Sequence, residues 1–132
     1  MNPFKDQEQF MKACDQTVDV HNQKQFDMYV NLIGEETSEL ADAIFEQDSV
    51  ETLDALIDIL VVTIGAIHSG GFDAEGAWNE VMKTNFAKID LDTGKVRKRE
   101  DGKVLKPEGW VAPNLTPFIK KETIKCKIQG EI

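Results

Sequence analysis

Apolar positions along the first ninety residues recur at spacings of three and four, the period of helices with one buried face. A loose stripe (Phe10, Met11, Ala13, Cys14, Val18) predicts a helix over residues 4–18. A clearer one (Tyr29, Leu32, Ile33, Leu40, Ala43, Ile44) predicts a second over 27–46. Asp48-Ser-Val-Glu51 reads as a capping box, in which the Asp48 carboxylate accepts backbone N–H groups and Glu51 reaches back. It opens a third helix that runs to about residue 69, where Gly70-Gly71 supplies a left-handed stop. Asp73 caps a fourth helix ending near residue 88, with Ala77, Trp78, Val81, Met82 and Phe86 on its apolar side. Trp78 and Phe86 are therefore expected in the core.

The third helix differs from the rest. Leu53, Leu56, Ile57, Ile59, Leu60, Val61, Val62, Ile64 and Ile67 leave almost no polar face. Such a helix is buried on most sides. A chain of 132 residues has little material to surround one completely, so oligomerisation is the simplest solution.

After residue 90 the pattern changes. Asp92-Thr-Gly94 and Asp101-Gly102 are turn signals, and Pro107, Gly109, Pro113 and Pro117 exclude a long helix. A hairpin or ordered loop is expected over 93–115. A partly alternating extended tail follows over 118–128 (Ile119, Ile124, Cys126, Ile128), suited to an edge strand or an arm. The prediction is an all-α bundle of four to five helices with a C-terminal loop or short hairpin and an extended tail. It forms a single domain over 1–132, with a helical core at about 4–90 and a basic loop and tail over 91–132.

Charge sharpens this division. Residues 1–92 hold 19 acids and 5 bases, whereas residues 93–132 hold 5 acids and 10 bases, within a net charge of −9. The overall balance argues against a general nucleic-acid binder. The longest apolar run, 55–67, is interrupted by Asp58 and is too short for a bilayer, so no membrane span is expected. The first residues lack a basic start followed by an apolar stretch, which predicts no secretory signal. Cys14 and Cys126 match no metal spacing and no disulfide framework, consistent with a reducing, cytoplasmic setting.

Several carboxylates fall where carboxylates are costly. At about 100° per residue, Glu36 projects inside the apolar stripe of the second helix, with Glu39 at its edge and Glu35 further round. On the third helix Glu51, Asp54 and Asp58 form one line. An unpaired buried carboxylate costs several kcal/mol. No lysine or arginine occurs between Lys24 and Lys83 to pair with these acids, so neutrality requires protonation or a bound cation. Two facing helices with oxygen donors and no amine suit Mg²⁺ or Mn²⁺. Zinc is disfavoured, because His21 and His68 are isolated and no CxxC is present. His68, at a helix end, reads as a dipole partner or surface residue. Glu51 has a second explanation as the capping-box residue.

Glu35-Glu36-Thr-Ser-Glu39 followed by a second acidic helix resembles the EExxE…ExxD signature of the all-α nucleoside triphosphate pyrophosphatases. That superfamily includes the MazG-like proteins, the dimeric dUTPases and the phosphoribosyl-ATP pyrophosphohydrolases. The resemblance continues through Asp54-Ala-Leu-Ile-Asp58, Gly71-Phe-Asp73, Lys83-Thr-Asn85-Phe-Ala-Lys88 and Gly102-Lys103-Val-Leu-Lys106-Pro-Glu-Gly-Trp110, covering about 27–115. The second motif can be laid down two ways. Glu51-Thr-Leu-Asp54 fits it literally but lies close to Glu39. Ending it at Asp58 restores the following apolar run but puts Ala55 where the glutamate belongs.

The resemblance implies a helical homodimer or homotetramer that cleaves a nucleoside triphosphate to a monophosphate and pyrophosphate with Mg²⁺, Mn²⁺ being possible. Glu36, Glu39, Asp54, Asp58 and Glu51 would be metal ligands, and Glu35 or Glu36 would orient or deprotonate water. Lys83, Asn85, Lys88, Lys103 and Lys106 would hold phosphate or sugar groups, and Trp110 is the better candidate for base stacking. The alternative is a catalytically inactive helical oligomer that binds a nucleotide or metal, which the alanine at position 55 keeps open.

Overall fold

The computed structural model describes residues 2–120, and these form two compact units, one of residues 2–74 with 119–120, the other Glu75–Phe118. The first contains α1 (Pro3–Ala13), α2 (Gln23–Phe45) and α3 (Ser49–Ser69). The second is entered along α4 (Ala74–Phe86) and ends in a 3₁₀ turn at Thr116–Phe118. The all-α expectation holds, and among the described residues no helix is long and apolar enough to cross a membrane.

Each helix of the first unit starts at an identifiable cap. The Asn2 side chain accepts from Phe4 N at 2.9 Å, and Pro3 takes the first helical position, where its missing N–H leaves nothing unsatisfied. α1 ends five residues earlier than the apolar stripe implied. Asp15 turns left-handed (φ 58°), and the chain then crosses to α2 in a loop. α2 starts four residues earlier than expected, because Asn22 caps it by accepting from Gln25 N at 3.1 Å.

Gln25 then does what no periodicity could announce. Buried at the start of α2, it accepts from Thr17 N (2.9 Å) and donates to Thr17 O (2.7 Å) and Ser69 Oγ (2.8 Å). Ser69 Oγ in turn donates to Gly65 O at 2.7 Å, and Asn22 N donates to Ser69 O at 2.8 Å. One amide thus ties the α1–α2 loop, the start of α2 and the end of α3 together, with its polar atoms satisfied.

α2 and α3 form an antiparallel hairpin joined by residues 46–48, and their packing is the main tertiary contact of the unit. Asp48 caps α3 by accepting from Glu51 N at 3.0 Å. The reciprocal half of the expected capping box does not form: Asp48 N donates instead to Ala43 O. Met11, Tyr29, Val62 and Ala66 make the core, with Val18, Phe26, Leu32 and Ile33 packed against it. His68, expected to be a dipole partner at the helix end or a surface residue, lies in the last turn of α3 but is buried, and its Nε2 donates to Phe4 O at 2.8 Å, fastening α1 to α3. Of the glycine pair after α3, only Gly71 is left-handed (φ 74°), while Gly70 stays helical.

The third helix, expected to need more material than this chain has to surround it, is only partly covered among the described residues. Its later turns are buried, but Leu53, Leu56, Ile57 and Leu60 are 62, 45, 49 and 58% exposed. Within the described residues three helices provide too few faces to cover the first turns of α3. Trp78 and Phe86, expected in the core, are likewise exposed.

In the second unit, the expected hairpin is reduced to isolated antiparallel bridges, Ile89 with Val96 and Lys98 with Val104. Turns interrupt any longer ladder. Asp90 Oδ1 accepts from Asp92 N at 2.8 Å, and Arg99 N donates to Lys103 O at 2.8 Å around left-handed Gly102. The expected extended tail reaches one bridge, Ile119 with Phe72, and beyond residue 120 it lies outside the described residues, as does Cys126.

Candidate metal centre

The hairpin register places the acids. The Tyr29 ring lies against Gly65, where an added Cβ would fall 2.4 Å from it. Glu36 is two turns beyond Tyr29 in α2, and Asp58 is two turns before Gly65 in α3. In an antiparallel pair the same step from one contact brings these two carboxylates opposite each other.

Their electrostatics reflect it. Glu36 Oε2 is shielded from solvent and has no hydrogen-bond partner. Burial is the main cause that pushes the Glu36 carboxyl above its ordinary range; a hydrogen bond and negative charge from Glu39 follow, then the charges of Asp58 and Asp54. Asp58 is also raised, first by burial, then by the charge of Asp54, a hydrogen bond with it, and the charge of Glu39. Glu36, Glu39, Asp54 and Asp58 therefore form one mutually repelling group. Burial and mutual repulsion thus make a fully ionised Glu36 and Asp58 side by side costly.

A divalent cation fits these residues. All four donors are hard oxygens, no lysine or arginine lies on either helix beyond Lys24, and one buried oxygen lacks any partner. Among the described residues, no three potential ligands already stand in a ligating arrangement.

The other acids singled out by the sequence stand apart. Glu35 is exposed and borders an open groove of about 650 Å³, shared with Gln25, Asp27, Asn31 and Leu32. Glu51 is exposed at the N-terminus of α3 and is not among the groups acting on Glu36 or Asp58. Ala55, which takes the glutamate's place when the second motif is ended at Asp58, is only 3% exposed. Asp54, one residue earlier, acts on both Glu36 and Asp58.

The predicted phosphate-binding residues all belong to the second unit. Lys83 pairs with Glu80 at 3.1 Å. Glu80 also accepts from Asn114 N at 2.8 Å, and that bond, ahead of Lys83, holds its carboxyl below the ordinary range. Lys88 Nζ donates to Asn85 Oδ1 at 3.1 Å. Lys103 is exposed, and its backbone N–H is held by Asp101. Trp110 is not a free stacking platform. Its Nε1 donates to Thr84 O at 2.7 Å, one of the last carbonyls of α4, and the ammonium groups of Lys88 and Lys106 lie 5.0 and 5.2 Å from its ring centroid.

The structure adds residues that the sequence reading passed over. Gln25 and Gly65 set the hairpin that carries the acids, and their signals were an amide inside an apolar stripe and a glycine inside a long helix.

Residues 5–85 match the family model described as phosphoribosyl-ATP pyrophosphohydrolase. A search of curated proteins finds no match to the chain.

Proposed function

From a chain that belongs to the phosphoribosyl-ATP pyrophosphohydrolase family, one of the MazG-like all-α pyrophosphatases, we propose a metal-dependent hydrolase. It would convert a nucleoside triphosphate, ribo or deoxy, to the monophosphate and pyrophosphate. The family itself is one of nucleotide pyrophosphohydrolases. The observation that carries the finer reading is the partnerless Glu36 Oε2 within a group of four carboxylates that no amine neutralises.

In this reading Glu36, Glu39, Asp54 and Asp58 hold the cation, Mg²⁺ or alternatively Mn²⁺. When bound, it supplies positive charge that offsets the acids and draws in phosphate oxygens. Water attacks the α-phosphorus, the bond from that phosphorus to the bridging oxygen breaks, and pyrophosphate leaves. Glu36 or the exposed Glu35 orients the water and takes up its proton. Lys83, Asn85, Lys88, Lys103 and Lys106 are assigned to the phosphates, and Trp110 to holding two of those lysines. Glu51 is the least supported ligand of the set.

The exposed apolar start of α3 supports a homo-oligomer, dimer or tetramer, whose second copy covers Leu53, Leu56, Ile57 and Leu60. A cytoplasmic location is part of the same proposal.

The test is product analysis with a panel of nucleoside and deoxynucleoside triphosphates, with Mg²⁺ or Mn²⁺ and with chelator, on the native chain and Glu36→Gln. Metal-dependent release of monophosphate and pyrophosphate, abolished in a folded Glu36→Gln chain, is the expected result. Absence of turnover with metal binding intact would instead establish the second reading, an inactive binding module. The buried alanine at position 55 is the observation that favours that reading.

A further inference from the structure

We propose that the groove along α2 that Glu35 borders seats the nucleobase, with Asn31 reading its edge and Met28 lying against its face. The groove has a volume of about 650 Å³ and lies wholly within the first unit. Trp110, the aromatic expected to stack on a base, is already engaged by Thr84 O and two ammonium groups, so the base needs another seat. The inference deepens the reading above and rests on it for the phosphate end of the ligand.

Four amide side chains line this groove, and three of them are committed. Gln16 Oε1 accepts from the Tyr29 hydroxyl at 2.5 Å. Asn22 Nδ2 donates to Thr17 Oγ1 at 3.0 Å, and its Oδ1 accepts from Gln25 N at 3.1 Å. Gln25 is spent on Thr17 and Ser69. These bonds hold the walls still. The fourth amide, Asn31, is exposed, and among the described residues its side chain makes no hydrogen bond. A carboxamide offers a donor beside an acceptor, and each nucleobase carries an edge with the complementary pair.

Helical spacing groups the remaining wall. Met28 lies three residues before Asn31, and Glu35 four residues after it, so all three share one side of α2. Met28 is 39% exposed, which leaves its thioether open to the face of an aromatic ring. Leu32 is packed against the core and gives a fixed apolar surface beside it. Asp27 and Glu35, opposed by one lysine, Lys24, make the groove unfavourable for phosphates. The neutral end of a nucleotide belongs here instead. The groove also runs in the right direction from the acids. Asn31 and Met28 precede Glu36 by five and eight residues. That places them about 7 and 12 Å from it along the helix axis. Sugar and base follow an α-phosphate in the same order.

The experiment uses the full-length native chain with Mg²⁺ and titrates the adenine, guanine, cytosine and uracil ribonucleoside monophosphates by calorimetry. Ribose 5-phosphate is the control that lacks a base. At least one monophosphate should bind more tightly than ribose 5-phosphate. Asn31→Leu should weaken the preferred nucleotide about tenfold or more and compress the differences between bases, while the circular dichroism spectrum is unchanged. Asn31→Asp keeps the shape but offers acceptors only, so it should move the order of preference toward guanine, whose edge presents two adjacent donors. Met28→Ala should weaken the nucleotides and leave ribose 5-phosphate unaffected. A native chain that holds no monophosphate more tightly than ribose 5-phosphate overturns the proposal. Folded Asn31→Leu and Asn31→Asp chains that keep the native affinities and order overturn it too. The readout needs no turnover. A chain that binds a monophosphate through Asn31 but hydrolyses no triphosphate refutes the hydrolase reading and leaves the base site standing. A chain that hydrolyses triphosphates with a base preference unmoved by either Asn31 variant does the opposite.

Discussion

Gly65→Ala tests the hairpin on which the acidic site depends. By helix propensity alone the change should stabilise α3 by about 1 kcal/mol. The structure predicts the opposite sign. The new Cβ would lie 2.4, 2.6 and 2.7 Å from three atoms of the Tyr29 ring, where ordinary contacts begin near 3.4 Å. The ring has no free direction. Its hydroxyl donates to Gln16 Oε1 at 2.5 Å, and it is packed in the core with Met11, Val62 and Ala66. Overpacking of this kind costs roughly 1–3 kcal/mol, and three simultaneous overlaps put it at the upper end. After the propensity gain, a net loss of about 2 kcal/mol remains, or roughly 6–10 °C in Tm for a chain of this size. Thermal and urea unfolding followed by circular dichroism, at one fixed protein concentration, measures it. In a Tyr29→Leu background the same substitution should become neutral or stabilising, since the smaller side chain leaves room, and the double-mutant cycle reports the coupling. A Gly65→Ala chain as stable as the native one, or a cycle with no coupling, would refute the claim that the bare glycine backbone sets the approach of α2 to α3.

The remaining predictions address the site and its surroundings. Glu36 and Asp58 have folded-state pKa values raised above their unfolded ones, so the stability they contribute is present at low pH and is lost as pH rises through the weakly acidic range above ordinary carboxylate values. In metal-free buffer, Tm should therefore fall across that range, and Mg²⁺ should flatten the profile. Glu36→Gln should raise the metal-free Tm near neutrality and diminish the shift that Mg²⁺ produces, both read by a thermal-shift titration. Gln25→Leu should lower stability by about 1–3 kcal/mol, because it strands Thr17 and Ser69 polar groups in a buried place; chemical denaturation reads this directly. Leu56→Glu with Leu60→Glu should shift the chain to a smaller species in sedimentation, and an unchanged mass would remove the start of α3 from any interface.

The helical class and the four helices were legible because their apolar residues repeat with the helical period and aspartates, Asp48 and Asp73, precede the third and fourth. The errors at the ends of α1 and α2 have one cause. Gln25, buried through three hydrogen bonds, looks polar in sequence, so the pattern placed the α1–α2 loop too late. His68 was misread for the same reason, since a buried carbonyl partner 64 positions away leaves no local trace. That α3 needs covering was legible in its nearly continuous apolar residues, but which of its turns stay exposed was not, because composition states how much apolar surface exists and not what covers it.

The candidate site divides in the same way. The sequence by itself determined that acids stand on apolar stripes without bases nearby, because helical projection and charge counting are local operations. Which acids act on one another was decided by the antiparallel register of α2 and α3, fixed by Tyr29 against Gly65. That register singled out Glu36, Glu39, Asp54 and Asp58 and left Glu35 and Glu51 outside. In the basic segment the sequence showed many cations of equal standing. Only the turn that brings Trp110 onto α4 distinguished Lys88 and Lys106 from Lys103, since a charge is set apart by the neighbours that hold it still.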